Sequence, residues 1–176
     1  MKKVAVVYKS KYGSTEKYAK WIAEDARCEI FKANEINADR LSEYDTIVYC
    51  GGLYAGGILG FSLIKNNYKK FCDKKLIVVA VGATLKKDEA IEEVRNHNLS
   101  NEMKDNTQFF ILRGGLNYKK MNVIDRILMF LLIKSIKRKK SEDIDDDSKG
   151  MIATYGKVVD FTNRNAIIPV INAINN

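Results

Sequence analysis

Residues 4–15 read VAVVYKSKYGST, and this stretch decides how the rest of the chain is interpreted. Its first half is a β-branched, apolar run, as expected of a central parallel strand that is buried on both faces. Its second half is a short loop of hydroxyls and one glycine, from which a helix is predicted to begin near Ser14. Phosphate binds where several N–H and O–H donors converge at the positive end of a helix. The loop therefore predicts a phosphate site formed by Ser10, Gly13, Ser14 and Thr15, although an ordinary helix-capping turn uses the same residue types.

The spacing of this loop matches neither the P-loop nor the dinucleotide-binding fingerprint, since both patterns need more glycines. Two further side chains, Lys11 and Tyr12, lie inside the loop. They either close over a bound ligand or remain solvated, and the sequence leaves these two alternatives equal.

Composition indicates one globular domain with an uneven distribution of charge. The 176 residues are 46% hydrophobic and 30% charged, and the net charge is +8. These hydrophobic and charged fractions are ordinary for a soluble protein. Nine basic residues and a single acid lie between Arg113 and Lys140, whereas the rest of the chain holds 21 residues of each sign. The whole excess of positive charge therefore belongs to one segment.

The sequence predicts a cytoplasmic protein. Too few apolar residues follow Met1 to form the core of a signal peptide. The three cysteines, Cys28, Cys50 and Cys72, have no metal-binding spacing and cannot all pair with one another, which favours reduced thiols. His97 is the only histidine, so we expect no metal site or catalytic triad built on histidine. No side chain is assigned as a catalytic acid or base.

Strands and helices are predicted to alternate along the chain, which is typical of an α/β sheet with right-handed crossovers. Four of the strands end in loops rich in glycine or hydroxyls, after Tyr8, Cys50, Val81 and Leu112. Ligands bind such sheets at the carboxyl ends of the strands, so the four loops predict one site along one edge. The predicted strands are Lys3–Tyr8, Cys28–Lys32, Tyr44–Cys50, Leu76–Val81 and Phe109–Leu112, and the predicted helices include Ser14–Ala26, Ile58–Phe71 and Lys87–Arg95.

These loops, taken in order, resemble the loops of the flavodoxins over nearly the whole chain. The resemblance implies a single domain, residues 1–176, with a doubly wound five-stranded parallel sheet of order 2-1-3-4-5 and helices on both faces. It also implies non-covalent FMN, with the phosphate or ribityl chain held by residues 10–15. In the loop GGLYAGG, residues 51–57, Tyr54 would stack on the flavin ring. The other residues that the resemblance places around the ring are Leu53, Ala55 and Gly56 at its edge, and Gly82, Ala83, Thr84 and Leu85 on its other side.

One flavodoxin-like family, the menaquinone-dependent protoporphyrinogen IX dehydrogenases, is similar in the segment GGLNY, residues 114–118, and in the long basic and apolar stretch that follows. The resemblance implies an insertion at about residues 114–150, in the region of the last strand. Lys157–Phe161 would then complete the sheet, and Asn163–Asn176 would form a closing helix, which Pro169 interrupts unless the helix starts late, near Asn165. The implied activity is oxidation of a porphyrinogen or another small redox substrate, with electrons passed to a quinone. The alternatives are a flavodoxin-type electron carrier that serves a protein redox partner, and a module that has lost its cofactor.

The segment Met121–Ile136 combines an apolar helical pattern with a basic C-terminal end. It is shorter than the roughly 20 residues needed to span a bilayer. It can be buried against the sheet, lie on the anionic inner face of the cell membrane as a peripheral anchor, or face an anionic, lipophilic substrate. Nucleic acid is not expected as a partner, because the basic residues lack interleaved aromatic side chains that stack on bases. The acidic tract Ser141–Ser148 is predicted to be solvated.

Overall fold

The computed structural model describes residues 2–82, 88–138, 140, 144 and 146–176. Its strands are β1 Val4–Lys9, β2 Glu29–Lys32, β3 Thr46–Tyr54, β4 Gly57–Ile58, β5 Lys75–Gly82, β6 Thr107–Arg113, β7 Gly115–Asn117 and β8 Val158–Asp160. Five of them run parallel in the main sheet, in the order β2-β1-β3-β5-β6, and the short β4 pairs antiparallel with β3. Counted along the chain, the five parallel strands have the predicted order 2-1-3-4-5. The predicted fold class is therefore confirmed, with β4 as an addition.

Helices cover the sheet on both faces. Their bounds are α1 Ser14–Ala26, α2 Ala38–Leu41, α3 Ser62–Lys65, α4 Asp88–Asn98, α5 Asn101–Asn106, α6 Val123–Ile136, α7 Asp146–Thr154 and α8 Ile168–Asn175. On one face, α1 and α8 pack over alternate strand residues such as Val6, Val48 and Ile77. On the other face, residues of α2 to α5 pack over the strand residues that point the opposite way, such as Ile47 and Val78. Burial on both sides explains why these strands are continuously apolar in sequence.

The predicted closing strand, Lys157–Phe161, does not join the main sheet. Its central part, β8, pairs antiparallel with β7 in a separate two-stranded ribbon. Gly115 makes this pairing possible, because a Cβ at that position would lie 2.5 Å from the carbonyl oxygen of Val159. The prediction was wrong because this close approach joins two distant segments, and a local strand pattern does not reveal its partner.

Two predicted helices also differ from the structure. Ile58–Phe71 is not one helix: only α3 and a 3-10 turn at Tyr68–Lys70 form there. Gly60 has a φ of +71°, which a continuous right-handed helix does not contain. The closing helix α8 begins at Ile168 after a 3-10 turn, with Pro169 in its first turn, where proline is tolerated. The helix therefore starts late, but at Ile168 and not near Asn165 as predicted.

Half of the acidic tract Ser141–Ser148, residues 141–143 and 145, lies outside the described residues, and α7 begins at Asp146. Within the described part of the chain, no helix has both the length and the apolar character needed to cross a membrane.

Candidate functional site

A cavity of about 550 Å³ opens at the carboxyl edge of the main sheet. It is lined by the loops that follow β1 and β3, by the end of β5, and by residues of the segment that follows β6. The predicted site residues that line it are Ser10, Lys11, Tyr12, Ser14, Thr15, Leu53, Tyr54, Ala55, Gly56 and Gly82. Gly13 shapes the first loop without lining the cavity. The predicted residues Ala83, Thr84 and Leu85 lie outside the described residues.

The polar end of the cavity is the loop between β1 and α1. Gly13 caps α1 with a φ of +102°, and its N–H donates to Ser10 Oγ at 3.1 Å. A glycine cap supplies no side-chain acceptor to the first turn of α1. Thr15, which is 3% exposed, and Ser14 also line this end of the cavity. An uncapped helix N-terminus flanked by hydroxyls is a suitable place for an anion such as phosphate.

The second predicted loop is a tight hairpin between β3 and β4. Leu53 pairs with Ile58 and Tyr54 with Gly57, so only Ala55 and Gly56 remain in the turn. Both have positive φ, 48° for Ala55 and 80° for Gly56, as a type I′ turn requires. The hairpin therefore carries Tyr54 to the rim of the cavity on a fixed backbone.

We expect Ala55→Gly to raise the free energy of unfolding by about 0.5–1 kcal/mol, since alanine is strained at positive φ and glycine is not. Urea unfolding followed by circular dichroism measures the change. The helical, exposed Ala153 is the control, because Ala153→Gly should lower stability instead. A lower stability for Ala55→Gly would contradict the strain inferred from this backbone.

The side chain of Asn98, at the end of α4, hydrogen-bonds to the backbone of this hairpin. Its side chain is 7% exposed; Nδ2 donates to Gly56 O at 2.9 Å, and Oδ1 accepts from Ile58 N at 2.8 Å. No sequence pattern indicated this role, because an asparagine in a polar helix is usually solvated. The neighbouring His97 is exposed, and its ring lies near Gly56.

Helix α6 forms the roof of the cavity. From the sequence, this stretch was described only as a basic and apolar segment. Asp125, Leu128, Met129 and Leu132 of this helix line the cavity, together with Leu116, Met121 and Met151. The opposite side of α6 is exposed: Val123 is 72%, Ile124 67%, Ile127 53% and Phe130 52% accessible. Only Asp125, Ile133 and Ile136 are buried within the helix. The alternative of a helix buried against the sheet is therefore wrong, and the helix instead separates the cavity from solvent.

Asp125 is the residue that joins this roof to both predicted loops. Its carboxylate is 4% exposed and lies 2.7 Å from Lys11 Nζ. It accepts hydrogen bonds from the hydroxyls of Tyr12 and Tyr54, the latter at 2.7 Å. The hydrogen bond to Asp125 raises the pKa of the Lys11 ammonium above its usual value. Lys11 Nζ also lies 4.1 Å from the centre of the Tyr54 ring, so it covers one face of that ring.

The sequence missed Asp125 as a site residue, although it is the only acid in the basic segment. Residues 11 and 125 are 114 positions apart, and nothing in the local pattern of either one indicates the other. An isolated acid within an apolar helical stripe was the available signal. The alternative in which the Lys11 and Tyr12 side chains remain solvated is wrong, since both donate hydrogen bonds to this carboxylate.

Among the residues that the structure describes, the other reactive side chains do not form a second centre. Burial raises the pKa of the Cys28 thiol to about 11 and raises that of Cys50 further, so neither is a ready thiolate. All three cysteines are unpaired. No group of three or more histidine, cysteine or acidic side chains among the described residues is arranged to hold a metal ion.

The sequence of residues 5–143 matches the family model described as the flavodoxin domain, which covers most of the chain. No curated protein sequence matches it. Similar solved structures include the Trp repressor binding protein of Bacillus subtilis, with 15% identity over 65% of this chain and 85% of that one, and a TM-score of 0.49. A second is the two-electron reduced flavodoxin of Megasphaera elsdenii, with 16% identity over 61% of this chain and 85% of that one, and a TM-score of 0.41. A third is a flavoprotein in complex with FMN from Lactobacillus acidophilus, with 16% identity over 64% of this chain and 93% of that one, and a TM-score of 0.39. These likenesses are weak, so the family assignment rests on the family model: the chain belongs to the flavodoxin domain family.

Proposed function

We propose that the protein is an FMN-dependent oxidoreductase that oxidises a porphyrinogen or a similar lipophilic donor and passes the electrons to a quinone. The observation that carries the proposal is the continuity of the cavity. Hydroxyls and an uncapped helix N-terminus lie at one end, and an apolar roof from α6 lies over the rest. A flavodoxin-family cavity with one polar, anion-binding end and one apolar part matches a cofactor that has an anionic tail and a flat, mainly apolar ring.

The residues present suit FMN. Ser10, Ser14 and Thr15 would hold its phosphate at the N-terminus of α1. Gly52 leaves room there, because a Cβ at that position would lie 3.2 Å from Thr15 Oγ1. Tyr54 would stack through the ring face that Lys11 leaves uncovered. Bound FMN would supply the electron-accepting centre, and the protein would supply binding, orientation and exclusion of water.

The substrate class follows from the roof of the cavity. The side chains that face the cavity beyond the two loops are largely apolar, among them Leu116, Leu128, Met129, Leu132 and Met151. They suit a lipophilic ring system, and the excess of positive charge in the segment around them, residues 113–140, suits its anionic substituents. Each pair of hydrogens removed from the porphyrinogen would reduce one quinone to its quinol, so the electrons balance.

Association with an anionic membrane surface belongs to the same proposal. The outward side of α6 exposes apolar residues, and Lys134, Lys137 and Arg138 are exposed at its C-terminal end. Each basic residue near an anionic bilayer contributes about 1 kcal/mol of attraction. A protein held in this way on the inner face of the cell membrane would meet a lipid-soluble quinone where it is concentrated.

The test begins with the visible spectrum of the purified protein, which should show bound flavin. FMN-loaded protein is then given protoporphyrinogen and a menaquinone analogue, and porphyrin fluorescence should rise above the rate of autoxidation. Thr15→Ala should weaken FMN binding by roughly tenfold through a lost hydrogen bond to charge, whereas Ser42→Ala, remote from the cavity, should not.

Three results would contradict parts of the proposal. A colourless protein that takes up no FMN would show that FMN is not the cofactor. A flavin-loaded protein with no enzyme-dependent porphyrin formation would show that a porphyrinogen is not the substrate. Reduction of the flavin by a ferredoxin reductase in that case would favour an electron carrier.

A further inference from the structure

Helix α6 presents apolar side chains on nearly every side between residues 124 and 132. Ile124, Ile127 and Leu131 face solvent, while Leu128 and Leu132 reach the cavity, and these two sets are chemically alike. Ile133 and Ile136 are buried near the C-terminal end of the helix and favour the observed orientation there. Toward the N-terminal end the exposed and the cavity-lining side chains are interchangeable, so hydrophobicity alone does not hold that end over the cavity.

Asp125 is the feature that breaks this symmetry. It is the only charged side chain of α6 that is buried, and it lies at the start of the stripe 125, 128, 129 and 132 that lines the cavity. Residues spaced by three and four positions share one side of a helix. A carboxylate fixed at position 125 therefore places Leu128, Met129 and Leu132 over the cavity.

The carboxylate is held strongly enough to act in this way. Burying a charged group costs several kcal/mol unless it is paired and hydrogen-bonded. Here Lys11 and Tyr12 reach it from the first loop and Tyr54 reaches it from the second. Any rotation of α6 that moves Asp125 would leave a charge and three donors without their partners, which makes the observed orientation strongly preferred.

We propose that Asp125 is a positioning residue that latches α6 over the cofactor cavity and thereby controls how fast the cofactor enters and leaves. The inference rests on the proposed binding of FMN, but the latch itself is a property of the protein without cofactor. The two loops that hydrogen-bond to Asp125 are the loops that would hold the phosphate and the ring of FMN. A cofactor that leaves the cavity must pass a roof that this carboxylate keeps closed.

The first measurement is amide hydrogen exchange of α6 in the FMN-free protein. Asp125→Leu keeps the helix apolar and should still fold, because the Lys11 side chain is 32% exposed and its ammonium can turn to solvent when the carboxylate is lost. Its α6 amides should exchange at least about tenfold faster than those of the wild type. Asp160→Asn is the matched control, because Asp160 forms an exposed ion pair with Lys17 outside the cavity and its loss should leave α6 unchanged.

The second measurement is the release of FMN, followed by the flavin fluorescence that appears on dissociation. Asp125→Leu should accelerate release at least about tenfold, and Asp125→Asn should accelerate it less, since the amide oxygen still accepts from the tyrosines. The exchanged pair Lys11→Glu with Asp125→Lys should recover part of the wild-type rate, a rescue that a purely structural role of either residue would not produce.

Unchanged exchange of α6 together with an unchanged release rate in Asp125→Leu would overturn the latch. Should the wild type take up no FMN, the proposed cofactor fails, while the exchange measurement still decides for or against the latch. Faster release with unchanged exchange would also count against it, because the effect would then be a direct contact and not the closing of the roof.

Discussion

Asn98→Leu is expected to lower the free energy of unfolding by about 2–4 kcal/mol, because it leaves the buried Ile58 N–H and the part-buried Gly56 carbonyl without their partner. In the wild type, Asn98 accepts from Ile58 N and donates to Gly56 O, and it also donates to Val94 O within its own helix. Leucine has a similar volume and fills the space, so the loss isolates the hydrogen bonds. Urea unfolding monitored by circular dichroism gives the change.

Asn96→Leu is the control for this variant. Asn96 is on the same helix and is exposed, so its replacement should change stability by no more than about 0.5 kcal/mol. An equal, small effect for both variants would show that the hairpin after β3 does not depend on Asn98. A loss of FMN affinity in Asn98→Leu alone would add that the hairpin shapes the proposed ring site.

The combined variant Ile124→Ser, Ile127→Ser and Leu131→Ser is expected to weaken binding to anionic vesicles by roughly a hundredfold, at about 1 kcal/mol for each apolar side chain that inserts. The three residues are between 53% and 67% exposed, so the folded state should tolerate the change. Co-sedimentation with vesicles of phosphatidylglycerol and phosphatidylcholine measures the affinity. Binding by the wild type should also fall as salt rises, because the basic end of α6 contributes.

Ile168→Ser is the matched control, since Ile168 is 54% exposed on α8, away from the cavity. It should bind vesicles as the wild type does. Failure of the wild type to bind anionic vesicles, or equal binding by the combined variant, would contradict the membrane proposal and leave the exposed side of α6 for another partner.

Local patterns were sufficient for most of the sheet and for the first loop. The apolar run before Ser10 and the hydroxyls after it are contiguous, and α1 has its predicted bounds, Ser14–Ala26. The strand order 2-1-3-4-5 followed from the resemblance to the flavodoxins, because the right-handed crossover rule gives the hand of each connection and not the order of the strands. The second loop lies at the predicted edge of the sheet, but residues 51–54 belong to β3, and neither the hairpin nor the positive φ of Ala55 was anticipated.

Contacts between distant segments account for what the sequence did not reveal. Asn98 bonds to a loop 42 residues away, and Asp125 bonds to a lysine 114 residues away. The pairing of β7 with β8 depends on a close approach at Gly115 that no strand pattern shows. In each case one residue's role is defined by a partner that folding brings to it. The prediction of one helix over Ile58–Phe71 was wrong for a different reason, since Gly60 interrupts a pattern that otherwise looks helical.

The ribbon of β7 and β8 has a consequence for how this protein could change over evolution. Asn117 and Val158 are directly opposite each other, so α6 and α7 leave the domain and return to it at a single point. Paired residues in antiparallel strands are only about 5 Å apart, a gap that a short turn can close. Everything between them is therefore a cassette, replaceable by another of different length at little entropic cost. Because the first two loops lie entirely outside it, exchange of this one cassette could give the domain a new substrate while its cofactor stays the same.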